Sequence, residues 1–219
     1  MKKRVAHLVF CGVYCILALI ALLADFGVLA GHLTTRPFVF YTSLSNMICS
    51  TFMVVSLIRN FRYREVGVFP RCKFLFVVMI LLTAIAFNLL LNPYGSIISY
   101  FAAYKSALHH LVLPAMFCLD WILFYKRGTV KLYDPLLALS IPSLYVIYIL
   151  ARGVIVKSAG LTVNVLYPYF FLDLDALGWQ GFLFWIGILL ALLLFLGYAL
   201  CALDRLLFRR SKTPDANLR

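Results

Sequence analysis

Thr42, Ser45, Asn46 and Cys49 fall at i, i+3, i+4 and i+7, so a helix through them carries small polar side chains on one stripe, with Ser43 off it. Two adjacent histidines, His109 and His110, lie in a later apolar run. Imidazole is the usual general base near neutral pH, and a hydroxyl within its hydrogen-bond reach becomes a nucleophile for acyl transfer. In that chemistry a hydroxyl of the stripe, such as that of Thr42, is the candidate nucleophile and His109 or His110 the candidate base. Asn46, Ser45 and Asn88 are then candidates to meet the oxyanion or the substrate. The same residue types also serve as glue between membrane helices, each hydrogen bond being worth about 1 kcal/mol or less.

Whether these groups meet depends on the elements that carry them. Of the 219 residues, 64% are hydrophobic and 13% charged, which excludes an ordinary water-facing globular surface and makes lipid the solvent. Apolar stretches near the length needed to cross the hydrocarbon core, about 20 residues, occur at about 5–29, 38–58, 74–91, 108–125, 133–151 and 178–203. The expected fold is all-α: one polytopic domain of six transmembrane helices over 1–210, followed by a disordered cytoplasmic tail at 211–219. Pro135 and Pro142 interrupt the fifth span, which is tolerated where a neighbouring helix satisfies the freed carbonyl.

The formal charge of +12 is explained by its distribution. With the N-terminus inside, only Arg36, Lys105, Arg152 and Lys157 of the 20 basic residues fall outside, which is the positive-inside signature and places both termini in the cytoplasm. Anionic lipid at the inner surface is a sufficient partner for this basicity, and nucleic acid is not needed. Orientation also fixes depth. At a rise of about 1.5 Å per residue, Asp25, Thr42, Asn46, Asn88, His109 and His110 all sit roughly 5–12 Å below the outer boundary. Four helices thus bring polar groups to one level, enough for a polar cavity in the outer third of the bundle.

Other signals are weaker. The opening MKKR and apolar run read as a retained first helix, since the run exceeds a signal-peptide core and no small-x-small cleavage site follows. Cys11, Cys15, Cys49, Cys72, Cys118 and Cys201 form no C-x-x-C pair, so neither a disulfide frame nor a zinc site is indicated. His7 and His32 lie at opposite membrane faces, and bis-histidine haem would need facing imidazoles on separate helices, so no cofactor and no metal are expected. Asp120, near the inner end of the fourth span, is expected to be neutralised by Lys126 and Arg127. The outer segments NPYGSIISYFAAYKSA at 92–107 and LYPYFF at 166–171 read as an aromatic belt, or as caps over a lipid-accessible pocket. No G-x-S-x-G, H-E-x-x-H or Gly-rich phosphate loop occurs.

The run FYTSLSN at 40–46, followed by LHHLVLP at 108–114 and LDW at 119–121, resembles the androgen-induced-gene and androgen-dependent TFPI-regulating protein family and its bacterial six-helix relatives. The resemblance implies an intramembrane hydrolase of fatty acid esters of hydroxy fatty acids, with Thr42 as nucleophile and a histidine on a later helix. A His followed five residues on by Pro, the animal pattern, selects His109. The bacterial pattern, Pro four residues on, selects His110. No third catalytic member is implied, and the substrate of bacterial relatives need not be the animal one. The expected partners are membrane lipids and a fatty-acyl ester, and the expected location is a bacterial cytoplasmic membrane. The competing readings are a transporter that uses the same polar cavity, and a structural protein whose stripe is only glue. Few intramembrane charges and no paired broken spans speak against the transporter.

Overall fold

In the computed structural model, residues 1–91 and 103–212 are described, with side chains through Arg209. The described residues contain six helices long and apolar enough to cross a membrane: α1 Lys2–Asp25, α2 Tyr41–Tyr63, α3 Pro70–Leu91, α4 Tyr104–Phe124, α5 Asp134–Ser158 and α6 Leu174–Lys212. No strand occurs among them. An even number of spans places Met1 and Lys212, the first and last described residues, at one end of the bundle. The last turns of α1 and α3 and the first turns of α2, α4 and α6 gather at the other. Most of the segment 92–107 and most of the tail lie outside the described residues.

Helix ends explain where the bounds depart from the apolar runs. α1 stops at Asp25, short of Leu29, because Gly27 turns left-handed (φ 76°) and the chain doubles back. A Cβ on Gly27 would stand 2.5 Å from His32 O, so only glycine fits there. The prolines of the fifth span do not break it. Pro135 opens the short turn Asp134–Leu137 and Pro142 lies in the first turn of Ser140–Ser158, where a missing N–H leaves no helical bond unmade. α6 is bent at Gly178 (φ 62°).

The buried positions of α1 are His7, Cys11, Tyr14, Ala18, Ala21 and Asp25, alternately four and three residues apart. That period is the seam of a helix packed lengthwise against its neighbours. Its middle is apolar, and each end presents one polar group to the interior. α2 buries a wider face that includes Ser43, Ser45, Asn46, Cys49, Ser50, Ser56 and Asn60. α6 is fastened to the α4–α5 hairpin through Asp204, which accepts from the amides of Gly128 (2.9 Å) and Val130 (3.3 Å).

Candidate functional site

At the end of the bundle away from the termini lies a cavity of about 550 Å³, bounded by Asp25, Thr42, Ser43, Lys105, His109, His110 and Tyr169 among others. Thr42, the second residue of α2, is half-buried, and both its hydroxyl (3.4 Å) and its amide (3.3 Å) meet the Tyr169 hydroxyl. The N-cap residue, Phe40, has no capping side chain, and Tyr169 is the acceptor for one first-turn amide. The amides of the first turn of α2 lack helical partners, and the local field is positive. Burial raises the Tyr169 phenol above its ordinary range, so it serves as a neutral hydroxyl.

Ser43 turns the other way. Its Oγ donates to Asp25 Oδ2 at 2.7 Å, and the same carboxylate oxygen lies 3.2 Å from His109 Nε2, without the alignment of a hydrogen bond. Lys105 Nζ sits 2.9 Å from Asp25 Oδ1. Asp25 and His109 are almost fully buried, whereas Lys105 is half-exposed. This makes a closed cluster of carboxylate, ammonium, imidazole and hydroxyl in which Asp25 is the common acceptor.

His110 faces the α3 side. Its ring stacks on Phe87 at 3.5 Å between centroids, and Nδ1 donates to Ser106 O at 3.0 Å. When Nδ1 donates to that carbonyl, the lone pair of the neutral imidazole is on Nε2; Ser106 Oγ, 3.3 Å from Nδ1, is the other partner of that nitrogen. Leu108–Val112 is a π-turn, the local widening that accommodates both imidazoles in mid-helix.

The amide candidates are placed differently from the expectation. Asn46 spends its NH₂ on Thr42 O (2.8 Å) and His109 O (3.1 Å), so it clamps α2 to α4 instead of facing an oxyanion. Ser45 bonds Thr42 O (3.0 Å) and Thr83 Oγ1 (2.8 Å), a helix-to-helix link. Asn88 is exposed, donates to Ala84 O within its own helix, and does not line the cavity. Thr42, His109 and His110 therefore share one cavity, while Asn46 and Ser45 lie behind its wall and Asn88 outside it. Neither imidazole hydrogen-bonds Thr42. The sequence placed Tyr169 only within an aromatic segment that belts the membrane or caps a pocket, and it did not pair Ser43 with Asp25. Tyr169 is distant in sequence and lies in an irregular aromatic segment, whereas Asp25 was already at the right depth and lacked only a partner.

A second polar cluster lies at the terminus end, wholly buried. Lys73 Nζ is 2.9 Å from Asp120 Oδ2 and His7 Nε2 is 3.2 Å from Asp120 Oδ1. Asn60 Nδ2 donates to His7 Nδ1 at 2.8 Å, and Cys11 Sγ is 3.3 Å from His7 Nε2. The partner of Asp120 is thus Lys73, not Lys126 or Arg127; Arg127 points to Asp204 and to the Trp121 carbonyl. His7, Cys11 and Asp120 have the donor chemistry of a metal site. The Lys73 ammonium, which also lies 3.1 Å from the Phe117 ring centroid, already occupies the place of a cation there.

Comparison with protein-family models, with curated proteins and with solved structures yields no match for this chain. The class is therefore defined by the fold alone, a six-helix multi-pass membrane protein, and function has to be argued from the site.

Proposed function

We propose that this protein is an intramembrane hydrolase of lipid esters in which Thr42 is the nucleophile and His110 the general base. The observation that carries the reading is that Thr42 and both imidazoles line one cavity at a single end of the bundle. The positive-inside bias puts that end at the outer leaflet, where an ester enters sideways from lipid and water arrives from outside. His110 is favoured over His109 because it is the less buried of the two and has no carboxylate beside it, whereas His109 Nε2 lies 3.2 Å from Asp25.

Because the Tyr169 oxygen already takes the Thr42 N–H, its phenol hydrogen is available to Thr42 Oγ1, leaving the threonine's own proton for a base. Closing the gap between Thr42 and His110 falls to substrate binding, since catalytic hydrogen bonds tighten in the Michaelis complex. Thr42 Oγ1 bonds to the ester carbonyl carbon as its proton passes to His110 Nε2. The C–O bond to the alcohol breaks, and the alcohol leaves with that proton. Water then repeats the sequence on the acyl-threonine and releases the fatty acid. The donors left for the developing oxyanion are the first-turn amides of α2 that Tyr169 does not hold. Fatty acid esters of hydroxy fatty acids are the substrate class implied by the resemblance.

A fluorophosphonate probe tests this on the full chain in detergent. Labelling at Thr42, abolished by Thr42→Ala with the fold intact, is the expected result; labelling that persists in Thr42→Ala removes Thr42 as nucleophile. One observation favours a second reading: the Thr42 hydroxyl pairs with Tyr169 and not with an imidazole, as suits the binding cavity of a transporter. Saturable flux in proteoliposomes that survives Thr42→Ser, without any labelling, would select that reading.

A further inference from the structure

Beside the polar cavity lies a second one of about 250 Å³, between α3, α5, the 169–172 segment and α6. The two share four wall residues, Thr42, Phe87, Leu91 and Tyr169. Their linings differ in one respect, the charged groups and imidazoles that only the first contains. Leu82, Val146, Ile186, Leu189 and Leu193 are among the apolar side chains that line the second cavity. Three of the hydroxyls that reach it are already committed, Thr83 Oγ1 to Ser45, Tyr145 to Val39 O (2.8 Å) and Tyr41 to Met79 O (3.5 Å), while Ser143 lies at its exposed edge. A polar group entering this space would lose its water and find no partner, whereas a hydrocarbon chain loses nothing. The first cavity sets Asp25, Lys105, Arg36 and two imidazoles among apolar neighbours such as Phe40 and Phe87, so it can take a charged end together with hydrocarbon. A ligand filling both must be an amphiphile whose polar–apolar junction lies at Thr42.

We infer that the apolar cavity is the acyl-chain site of the lipid ester, and that the alcohol portion of the ester lies in the polar cavity. This rests on the hydrolase reading and adds to it a direction: the acid side of the scissile bond, not the alcohol side, points between α3, α5 and α6. The carbonyl carbon sits at the mouth of the pocket, where Thr42 attacks it, and chain length is measured against the far wall at Leu189 and Leu193.

Two measurements on the full chain in detergent test the inference. The first compares hydrolysis of p-nitrophenyl butyrate and p-nitrophenyl palmitate by the native protein and by Leu189→Trp, which fills the pocket without touching the polar cavity. The palmitate-to-butyrate ratio of kcat/KM is expected to fall at least about tenfold, the discrimination a hydrophobic pocket derives from one or two methylenes. An unchanged ratio, in a native protein that hydrolyses both esters and is labelled by the fluorophosphonate, overturns the acyl site and leaves the hydrolase reading standing. Absence of hydrolysis and of labelling in the native protein overturns the hydrolase reading instead. The second measurement needs no variant: a diazirine-bearing palmitate is photocrosslinked to the native protein and the adducts are mapped. Adducts on the α5 and α6 residues lining the pocket support the inference. Adducts confined to other surfaces, or equal capture of a diazirine phosphatidylcholine at the pocket, which would mark it as an ordinary lipid crevice, overturn it.

Discussion

Thr42 and Ser43 are neighbours in sequence with different surroundings, because successive helical residues point about 100° apart. Both reach the cavity, but Thr42 bonds Tyr169 whereas Ser43 is buried against α1 and bonds Asp25. The two hydroxyls should respond differently to removal. Thr42→Ala is expected to abolish fluorophosphonate labelling and to lower ester hydrolysis by about 10³-fold or more, as loss of a nucleophile does. Ser43→Ala should keep the label and lose about 1.5–3 kcal/mol of stability, the worth of a hydrogen bond to a charged group, read by denaturant titration in detergent. The histidines divide in the same way. His110→Ala should cost about 10²–10⁴-fold in rate with little change in melting temperature, the loss expected of a general base. Comparable loss of rate in His109→Ala, with His110→Ala active, would reverse the assignment. The stripe Thr42, Ser45, Asn46 and Cys49 identified the helix but not the roles on it. A helix buried over so broad a face has no single functional stripe, and Ser43 is buried just outside the one its spacing defined.

At the scale of the elements, α1 runs between the two polar clusters, presenting His7 to one and Asp25 to the other. The lower cluster is the stronger test of how the helices are held together. Lys73 and Asp120 are fully buried and join α3 to α4, with His7 of α1 on the second carboxylate oxygen. Lys73→Met leaves that carboxylate uncompensated and is expected to cost about 3–5 kcal/mol, whereas Lys73→Met with Asp120→Leu should recover most of it, since apolar replacement of a buried pair is often neutral. Thermal unfolding in one detergent compares all three. The connection that follows α1 has its own constraint. Gly27→Ala meets both a left-handed φ and the His32 carbonyl, so its cost should exceed about 1 kcal/mol.

For the whole molecule, the orientation read from charge makes a direct prediction. Cys72, exposed near the start of α3, lies at the terminus end of the bundle. A membrane-impermeant maleimide should reach it only after the cells are opened; labelling on intact cells would invert the topology and take the cavity to the inner leaflet. The apolar runs and the charge bias by themselves determined that six helices cross the bilayer and that Asp25, Thr42 and the histidines belong to one level of it. They did so because hydropathy and loop charge are properties along the chain, and position along a spanning helix is depth. What surrounds each group at that depth was decided only by tertiary structure. Packing rotated Asn88 out, engaged the amide of Asn46 with two carbonyls, brought Tyr169 from a distant loop onto Thr42, and paired Asp120 with Lys73 in place of its sequence neighbours. Rotation about a helix axis and the order of helices in the bundle follow from which faces fit together, and a spacing of polar residues along one helix does not contain the face of the next.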